Sequence, residues 1–84
     1  MKPVTVYTTN MCPYCNSAKA LLNKRGVEYE EINLARDPDA RKLLRDKTGM
    51  STFPQIVIDG TSIGGFDQLL AAARAGRLPE LLAA

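Results

Sequence analysis

The residues with the clearest chemical potential are the only two cysteines of this 84-residue chain, Cys12 and Cys15. They are three positions apart, a spacing that fits either a reversible disulfide or half of a four-thiolate metal site. A tetrahedral zinc site needs four ligands, and the chain has no third cysteine and no histidine. The residues therefore argue against a zinc site within one chain, whereas a cluster shared between chains stays open.

The position of the pair favours reactivity over a structural role. A disulfide stabilises mainly by closing a long loop of the unfolded chain, and this loop is very short. Two cysteines can also act as small apolar side chains, but Cys12 lies where a predicted strand gives way to a predicted helix. The N–H groups and dipole at a helix start favour a thiolate. We therefore expect Cys12 to attack and Cys15, one turn inside the helix, to resolve a mixed disulfide.

Length and composition indicate one small folded domain that covers residues 1–84. Hydrophobic residues make up 45% of the chain and charged residues 24%, which excludes disordered and collagen-like chains. The net charge of +2 gives no sign of a nucleic-acid partner. No apolar run approaches the ~20 residues of a membrane-spanning helix, and the start of the chain lacks the features of a secretory signal. We therefore expect a cytoplasmic protein that binds neither nucleic acid nor membrane.

Hydrophobic periodicity and turn signals predict the element order β-α-β-α-β-β-α. The predicted strands cover residues 2–8, 27–34, 53–58 and 61–63, and the predicted helices cover 13–25, 37–49 and 67–75, before a short final helix led by Pro79. A helical crossover makes the first two strands parallel, and an Asp59-Gly60 turn makes the last two antiparallel. We therefore expect an α/β fold with a four-stranded mixed sheet flanked by helices.

Three motifs give the chain a resemblance to the dithiol glutaredoxins. They are Cys12-Pro13-Tyr14-Cys15, Thr52-Phe53-Pro54-Gln55 ahead of an apolar strand, and Ile63-Gly64-Gly65-Phe66-Asp67 ahead of the last long helix. The motifs occur in the family's order and span nearly the whole chain. The resemblance implies a single glutaredoxin domain with a thioredoxin-like fold. It also implies an oxidoreductase that uses glutathione as its reducing co-substrate and needs no metal.

The resemblance further implies which residues do this work. The catalytic residues are Cys12 and Cys15, and the glutathione-binding residues are Tyr14, Arg41, Thr52, Phe53, Pro54, Gly65, Phe66 and Asp67. In the family the proline that matches Pro54 is cis, and the preceding backbone pairs with the substrate's cysteinyl segment. The helix start at Phe66 and Asp67 offers N–H groups to a carboxylate, and Asp67 can accept from the glutathione ammonium.

Several of these residues also have a purely structural interpretation when they are considered without the resemblance. Pro54 is a proline at a common strand-initiating position, and Asp67 is a plain helix-capping residue. Arg41 belongs to a charged helix face of the kind that is usually solvated. Tyr14 fits a half-buried aromatic residue with a solvated hydroxyl group. Tyr7 and Tyr29 are assigned to packing.

One residue departs from the family pattern. Many dithiol glutaredoxins carry a lysine three positions before the nucleophilic cysteine, and this chain has Thr9 there. A nearby cation lowers a thiol pKa. The departure therefore leaves open how acidic Cys12 is and how tightly glutathione is held.

Two other functions stay open. A glutaredoxin-like redoxin reduced by thioredoxin reductase would have the same fold, and an iron–sulfur cluster carrier would use Cys12 from two chains with two glutathiones. Pro13 argues against the carrier, because cluster-binding members of the family usually lack the stiff Cys-Pro-Tyr-Cys turn. The expected partners are glutathione, glutathionylated proteins and disulfide-bearing client enzymes, acting on a monomer.

Overall fold

The computed structural model describes residues 1–84 and contains four strands and four helices. The strands are β1 (Val4–Thr8), β2 (Glu30–Asn33), β3 (Gln55–Ile58) and β4 (Thr61–Gly64). The helices are α1 (Pro13–Lys24), α2 (Pro38–Thr48), α3 (Phe66–Arg74) and α4 (Leu78–Leu82). The predicted element order is confirmed, and α4 is the predicted final turn of helix. No helix has the length and apolar content to cross a bilayer.

The four strands form one mixed sheet in the order β2-β1-β3-β4. Strand β1 is parallel to β2 and antiparallel to β3, and β3 is antiparallel to β4. In the β3–β4 turn both Asp59 and Gly60 have positive φ values, 49° and 81°. A two-residue hairpin turn whose twist matches that of the strands requires this backbone conformation. The predicted strand directions are therefore confirmed, with β1 and β3 at the centre of the sheet.

The apolar core lies between the sheet and the helices. Strand β1 alternates buried and half-buried residues. Val4 and Val6 therefore lie on the same face of the sheet, and both belong to the core. Residues of α1, β3 and α3 complete the core, and Leu22, Ile56 and Leu69 among them are fully buried. This packing fixes the start of α1 and the start of α3 on the same sheet.

The caps at the end of α1 and at the start of α2 lie at the predicted residues. At the end of α1, Gly26 adopts a φ of 69°, and the Val27 N–H donates to the Leu22 carbonyl at 2.9 Å, the bond that defines a Schellman motif. At the start of α2, the Asp37 carboxylate caps the Ala40 N–H at 3.0 Å. These caps confirm the predicted breaks on either side of β2.

Three strand starts differ from the prediction. Strand β1 begins at Val4 and not at Lys2, because the Lys2 N–H donates to the Leu82 carbonyl at 2.8 Å and Pro3 has no N–H to donate. Strand β2 begins at Glu30 and not at Val27, because the Val27 N–H is used to end α1. Hydrogen bonds to a neighbouring helix therefore shorten both strands.

The third difference lies beside the cysteines. Strand β3 begins at Gln55 and not at Phe53, because the intervening Pro54 has no N–H for a strand ladder and follows a cis peptide bond. Strand β4 continues through Gly64, one residue beyond its predicted end.

The bounds of the three long helices are shifted by one residue. Helix α2 covers Pro38–Thr48 in place of the predicted 37–49, because Asp37 and Gly49 are its caps. Helix α1 ends at Lys24 because Arg25 forms its C-terminal cap. Helix α3 covers Phe66–Arg74 in place of the predicted 67–75, because Gly65 is its N-terminal cap. The starts of α1 and α3 both face the region around Pro54.

Candidate active site

Cys12 and Cys15 form a disulfide at the start of α1, with their Cα atoms 5.2 Å apart. Cys12 has extended backbone geometry and is the N-terminal cap of the helix, and its Sγ accepts a 3.2 Å hydrogen bond from the Cys15 N–H. Cys15 is buried, with 1% of its surface exposed, whereas Cys12 is half-buried. The predicted difference in accessibility is therefore present. We call residues 12–15 the cysteine wall.

The segment that precedes β3 faces this disulfide. The Phe53–Pro54 peptide bond is cis, as the resemblance implied. The Phe53 carbonyl oxygen lies 3.6 Å from the Cys12 sulfur, and Pro54 is buried behind it. We call residues 50–54 the proline wall. The two walls place the half-buried Cys12 sulfur against the Phe53 carbonyl, which belongs to no strand.

A groove of about 440 Å³ runs beside the two walls. It is lined by Tyr14, Met50, Thr52, Phe53, Pro54, Gly65, Phe66, Asp67 and Gln68. Seven of the eight residues that the resemblance assigns to glutathione are in this set. The aromatic rings of Tyr14 and Phe66 are 6.0 Å apart across the groove, and 62% of Tyr14 is exposed. The structure therefore brings these seven residues together at one surface.

Arg41 is the eighth assigned residue, and it lies outside this groove. One of its guanidinium nitrogens, Nη1, donates to the carbonyls of Leu34 and Ala35 at 2.6 and 2.9 Å. These bonds tie α2 to the end of β2. Arg41 instead lines an adjoining groove that shares Met50 and Phe53 with the first. Its assignment to glutathione stays a prediction.

A buried glutamine, which the sequence reasoning did not single out, holds the proline wall. Gln55 is 1% exposed, and its Nε2 donates to the carbonyls of Met50 and Thr52 at 2.9 and 3.1 Å. Its Oε1 accepts from the Thr48 hydroxyl at 2.9 Å. A buried polar group that is fully hydrogen-bonded specifies one local arrangement. The signal was available in the sequence as one polar residue at the head of an apolar strand.

A second overlooked glutamine closes the start of α3. The Gln68 Oε1 accepts a 2.9 Å hydrogen bond from the Gly65 N–H. A Cβ on Gly64, which has a φ of 109°, would lie 2.8 Å from the Gln68 Cγ. Gly64 is therefore required both by its backbone conformation and by the side chain that closes over it. Helical spacing could have indicated Gln68, since it lies three residues after the capping glycine.

An ion pair with a buried hydroxyl ties α1 to β2, away from the groove. Lys19 Nζ lies 3.2 Å from Glu31 Oε2, and the buried Thr8 hydroxyl donates to the same oxygen at 2.8 Å. The hydrogen bond from Thr8 lowers the pKa of Glu31, with a further lowering from Lys19, and partial desolvation opposes both. Lys19 is thus paired with Glu31. It does not take the place of the family's lysine, at whose position this chain has Thr9.

The fold and the disulfide together define a class of protein. A mixed sheet with a dithiol at the start of its first helix and a cis-proline opposite is the arrangement of a thioredoxin-like thiol–disulfide oxidoreductase. The structure holds no group of three or more side chains of the metal-ligating type.

Comparisons with known proteins identify the family. The glutaredoxin family model matches residues 4–63. The chain is 49% identical to a glutaredoxin of Pseudomonas aeruginosa over 84 residues, which cover 100% of both chains. It is 42% identical to glutaredoxin 3 of Escherichia coli K12 over 82 residues, or 98% of this chain and 99% of that one.

A solved structure agrees with these sequence relatives. The crystal structure of a buckwheat glutaredoxin–glutathione complex superimposes with a TM-score of 0.88 at 32% identity, and the match covers 96% of this chain and 76% of that one. The chain belongs to the glutaredoxin family, whose members are thiol–disulfide oxidoreductases that use glutathione.

Proposed function

We propose that this chain reduces glutathionylated mixed disulfides and protein disulfides, with Cys12 as the nucleophile and Cys15 as the resolving thiol. One observation supports this most strongly. The half-buried Cys12 sulfur caps α1 and lies 3.6 Å from the Phe53 carbonyl, at the edge of the groove that seven of the assigned residues line. A helix start stabilises a thiolate, so the accessible cysteine is also the activated one.

In the first route the substrate is a glutathionylated protein. The Cys12 thiolate attacks the glutathione sulfur, the protein thiolate leaves and takes up a proton, and glutathione stays on Cys12 as a mixed disulfide. The thiolate of a second glutathione then attacks that mixed disulfide. Glutathione disulfide is released and the Cys12 thiolate is restored. Two glutathiones thus supply the two electrons, one of them from the substrate itself, and Cys15 takes no part.

In the second route the substrate is a protein disulfide. Cys12 attacks one of its sulfurs and forms a mixed disulfide with the client, and the client's other sulfur leaves as a thiolate. The Cys15 thiolate attacks the Cys12 sulfur and releases the reduced client. The internal Cys12–Cys15 disulfide, the state present in this structure, is then reduced by two glutathiones, which leave as glutathione disulfide.

The groove residues hold glutathione in this proposal. The backbone of Thr52 and Phe53 pairs with the cysteinyl part of glutathione as an added strand, and Tyr14 packs along it. The Phe66 and Asp67 N–H groups at the start of α3 bind one carboxylate. The Asp67 carboxylate, exposed at the groove, accepts from the ammonium.

Pro54, Gly65 and Arg41 complete the proposed glutathione site. Pro54 and Gly65 let the ligand approach the backbone closely, since Gly65 has no side chain. Arg41 binds the other carboxylate with guanidinium N–H groups that Leu34 and Ala35 leave free.

A cytoplasmic monomer fits this chemistry, because one chain carries both cysteines and the cytosolic glutathione pool is kept reduced. The clients are glutathionylated proteins and enzymes that end a cycle with a disulfide.

The direct test uses the variant Cys15→Ser with glutathione disulfide. We expect intact-mass analysis to show one glutathione on Cys12. Amide shifts in a ¹H–¹⁵N spectrum should then change most at Tyr14, Thr52, Phe53 and the start of α3. The variant Cys12→Ser is the matched control and should form far less adduct. An adduct that leaves the groove amides unshifted would refute the binding site, and equal adduct formation in the two variants would refute the cysteine roles.

A further inference from the structure

A second groove borders the active site and carries a different charge. It measures about 330 Å³ and is lined by Pro38, Arg41, Lys42, Arg45, Met50, Ser51 and Phe53. Met50 and Phe53 also line the active-site groove, so the two grooves adjoin each other at the proline wall. We call the second one the basic groove. Three of its seven lining residues are cations, and none is a carboxylate.

The charge of the basic groove follows from the helix that forms it. Positions three and four residues apart share one face of a helix, and this spacing aligns Arg41, Lys42 and Arg45 along one side of α2. The other charged residues of the helix's exposed surface, Asp39 and Asp46 among them, do not line the groove. Three of the four cations of α2 therefore lie on the side that borders the active site, and only Lys47 lies elsewhere.

These cations have no acidic partner within the protein. The single ion pair of the structure joins Lys19 to Glu31, and neither residue lines the basic groove. Lys42 and Arg45 are exposed and make no hydrogen bond through their side chains. Arg41 bonds only to two neutral carbonyls. The positive charge is therefore available to a molecule that binds there.

Glutathione leaves two of these three cations unused. Its two carboxylates are assigned to the start of α3 and to Arg41, so Lys42 and Arg45 have no part in holding it. A client polypeptide differs because it continues beyond its cysteine. An extended chain advances about 3.3 Å per residue, and the Phe53 carbonyl at the entrance to the basic groove lies 3.6 Å from the Cys12 sulfur. A few residues of a bound client therefore suffice to reach Lys42 and Arg45.

We propose that the basic groove binds an acidic segment of protein clients, a few residues from the client cysteine whose mixed disulfide or protein disulfide is reduced. Complementary charge at the rim of an interface raises the association rate and favours one class of partner. The inference rests on the proposed function and narrows its substrates. Clients with Asp or Glu near the reactive cysteine are reduced faster than those with Lys or Arg there.

The test uses three glutathionylated peptides that differ only in two residues on each side of the cysteine, which are Glu, Gln or Lys. We expect kcat/KM to fall in the order Glu, Gln, Lys, with roughly a threefold to tenfold difference between the first and last, the range expected of a few exposed charge pairs. High salt should compress the difference, since the Debye length falls from about 10 Å at 0.1 M to about 3 Å at 1 M.

Two charge-reversed variants locate the effect. In Lys42→Glu/Arg45→Glu we expect the Glu-to-Lys peptide ratio to drop to one or below. In the control Lys24→Glu/Arg25→Glu, with the same change in net charge at the far end of α1, the ratio should persist. A circular dichroism spectrum and an unfolding curve check that each variant folds. The peptide ratio is measured within one variant and is therefore insensitive to small losses of overall activity.

Each other outcome has a definite meaning. Equal turnover of the three peptides by the wild-type protein refutes the proposed binding of acidic client segments by the basic groove, and it leaves the proposed function unaffected. A ratio that survives in Lys42→Glu/Arg45→Glu, or falls equally in the control, also overturns it. A uniform rise of the KM for glutathione in Lys42→Glu/Arg45→Glu, with no change in the peptide ratio, assigns these cations to glutathione and not to clients. No turnover of any peptide overturns the proposed function, and the inference with it.

Discussion

The two walls of the active site are built in different ways. The cysteine wall is local: within four residues, a proline starts the helix, Cys12 caps it, and the Cys15 N–H reaches the Cys12 sulfur at 3.2 Å. The proline wall belongs to no helix or strand. The buried side chain of Gln55 stabilises it through hydrogen bonds to the carbonyls of Met50 and Thr52 and to the hydroxyl group of Thr48.

This difference separates chemistry from substrate positioning. The reactive group depends on a helix start, which a short sequence determines. The surface that receives the substrate depends on one buried side chain, Gln55, and on partners that lie three to seven residues away in sequence and outside its strand. We therefore expect changes in the cysteine wall to alter turnover and changes beneath the proline wall to alter stability and KM.

The largest effect is expected from the cysteines themselves. Cys12→Ser should lose both reduction of mixed disulfides and reduction of protein disulfides, because the attacking thiolate is gone. Cys15→Ser should keep reduction of mixed disulfides and lose most reduction of protein disulfides, because only the second route needs a resolving thiol. The measurement is NADPH consumption with each substrate in the presence of glutathione and glutathione reductase. An equal loss of mixed-disulfide reduction in the two variants would contradict the role assignment.

The next effect is expected at Gln55. Gln55→Leu leaves the Met50 and Thr52 carbonyls without their amide donor, and an unsatisfied buried polar group costs about 1–3 kcal/mol. We expect the free energy of unfolding to fall by about 2–4 kcal/mol and the KM for glutathione to rise more than kcat falls. Urea unfolding and steady-state kinetics measure the two quantities.

A milder pair of variants guards against simple unfolding of Gln55→Leu. Thr48→Val removes the hydroxyl group that donates to Gln55 Oε1, whereas Thr48→Ser keeps it. The valine variant should show a higher KM for glutathione than the serine variant. If Thr48→Val and Thr48→Ser have the same KM, the buried network does not position the proline wall.

A smaller effect is expected at the glycine beside α3. Gly64→Ala imposes a side chain at a φ of 109° and within 2.8 Å of Gln68 Cγ, which displaces the side chain that accepts from the Gly65 N–H. We expect a loss of about 2 kcal/mol of stability. The control is Gly26→Ala, at a φ of 69° with no atom within 4 Å of the added carbon, which should cost only about 1 kcal/mol. Thermal unfolding of the two variants measures the difference, and equal losses would show that Gln68 does not constrain Gly64.

The smallest effect concerns pH and the ion pair outside both walls. Because the folded-state pKa of Glu31 is lowered, its contribution is present above the pKa of the unfolded state and is lost as the pH falls through the folded pKa. Glu31→Gln should therefore cost roughly 0.5–1 kcal/mol at pH 7, with solvent screening included, and almost nothing in acid. Urea unfolding at both pH values, with the exposed neighbour Glu30→Gln as control, measures this. A cost that does not change with pH would contradict the assignment.

The sequence predicted the cysteine wall well and the proline wall only in part. The helix start at Pro13 and the unequal burial of the cysteines follow from local patterns, and the element order follows from periodicity and turn residues. The strand starts were wrong where a backbone N–H is used elsewhere, as at Val27, or is absent, as at Pro54. The competition at Val27 depends on a contact between elements and leaves no local pattern, whereas the missing N–H of Pro54 could have been read from the sequence.

The binding residues show the same limit. Seven of the eight assigned residues lie at one groove because three motifs carry them, and these motifs were recognised by resemblance. Arg41 lies in the adjoining groove, where it is bonded to the end of β2. These bonds form only in the folded chain, so no sequence pattern indicates them. Gln55 and Gln68 were missed although their positions, at the head of an apolar strand and three residues after a capping glycine, were visible in the sequence. The partners of their side chains are set by the fold. Thr9 was identified from the sequence as a departure from the family pattern.

The most direct test of the central claim is the source of electrons. NADPH consumption is followed with a glutathionylated peptide in two mixtures, one with glutathione and glutathione reductase and one in which thioredoxin reductase replaces both. We predict turnover in the first mixture only, which would show that the groove works with glutathione and that Thr9 is tolerated. Turnover only with thioredoxin reductase would contradict the account, because the groove residues would then be structural and the electrons would come from another protein.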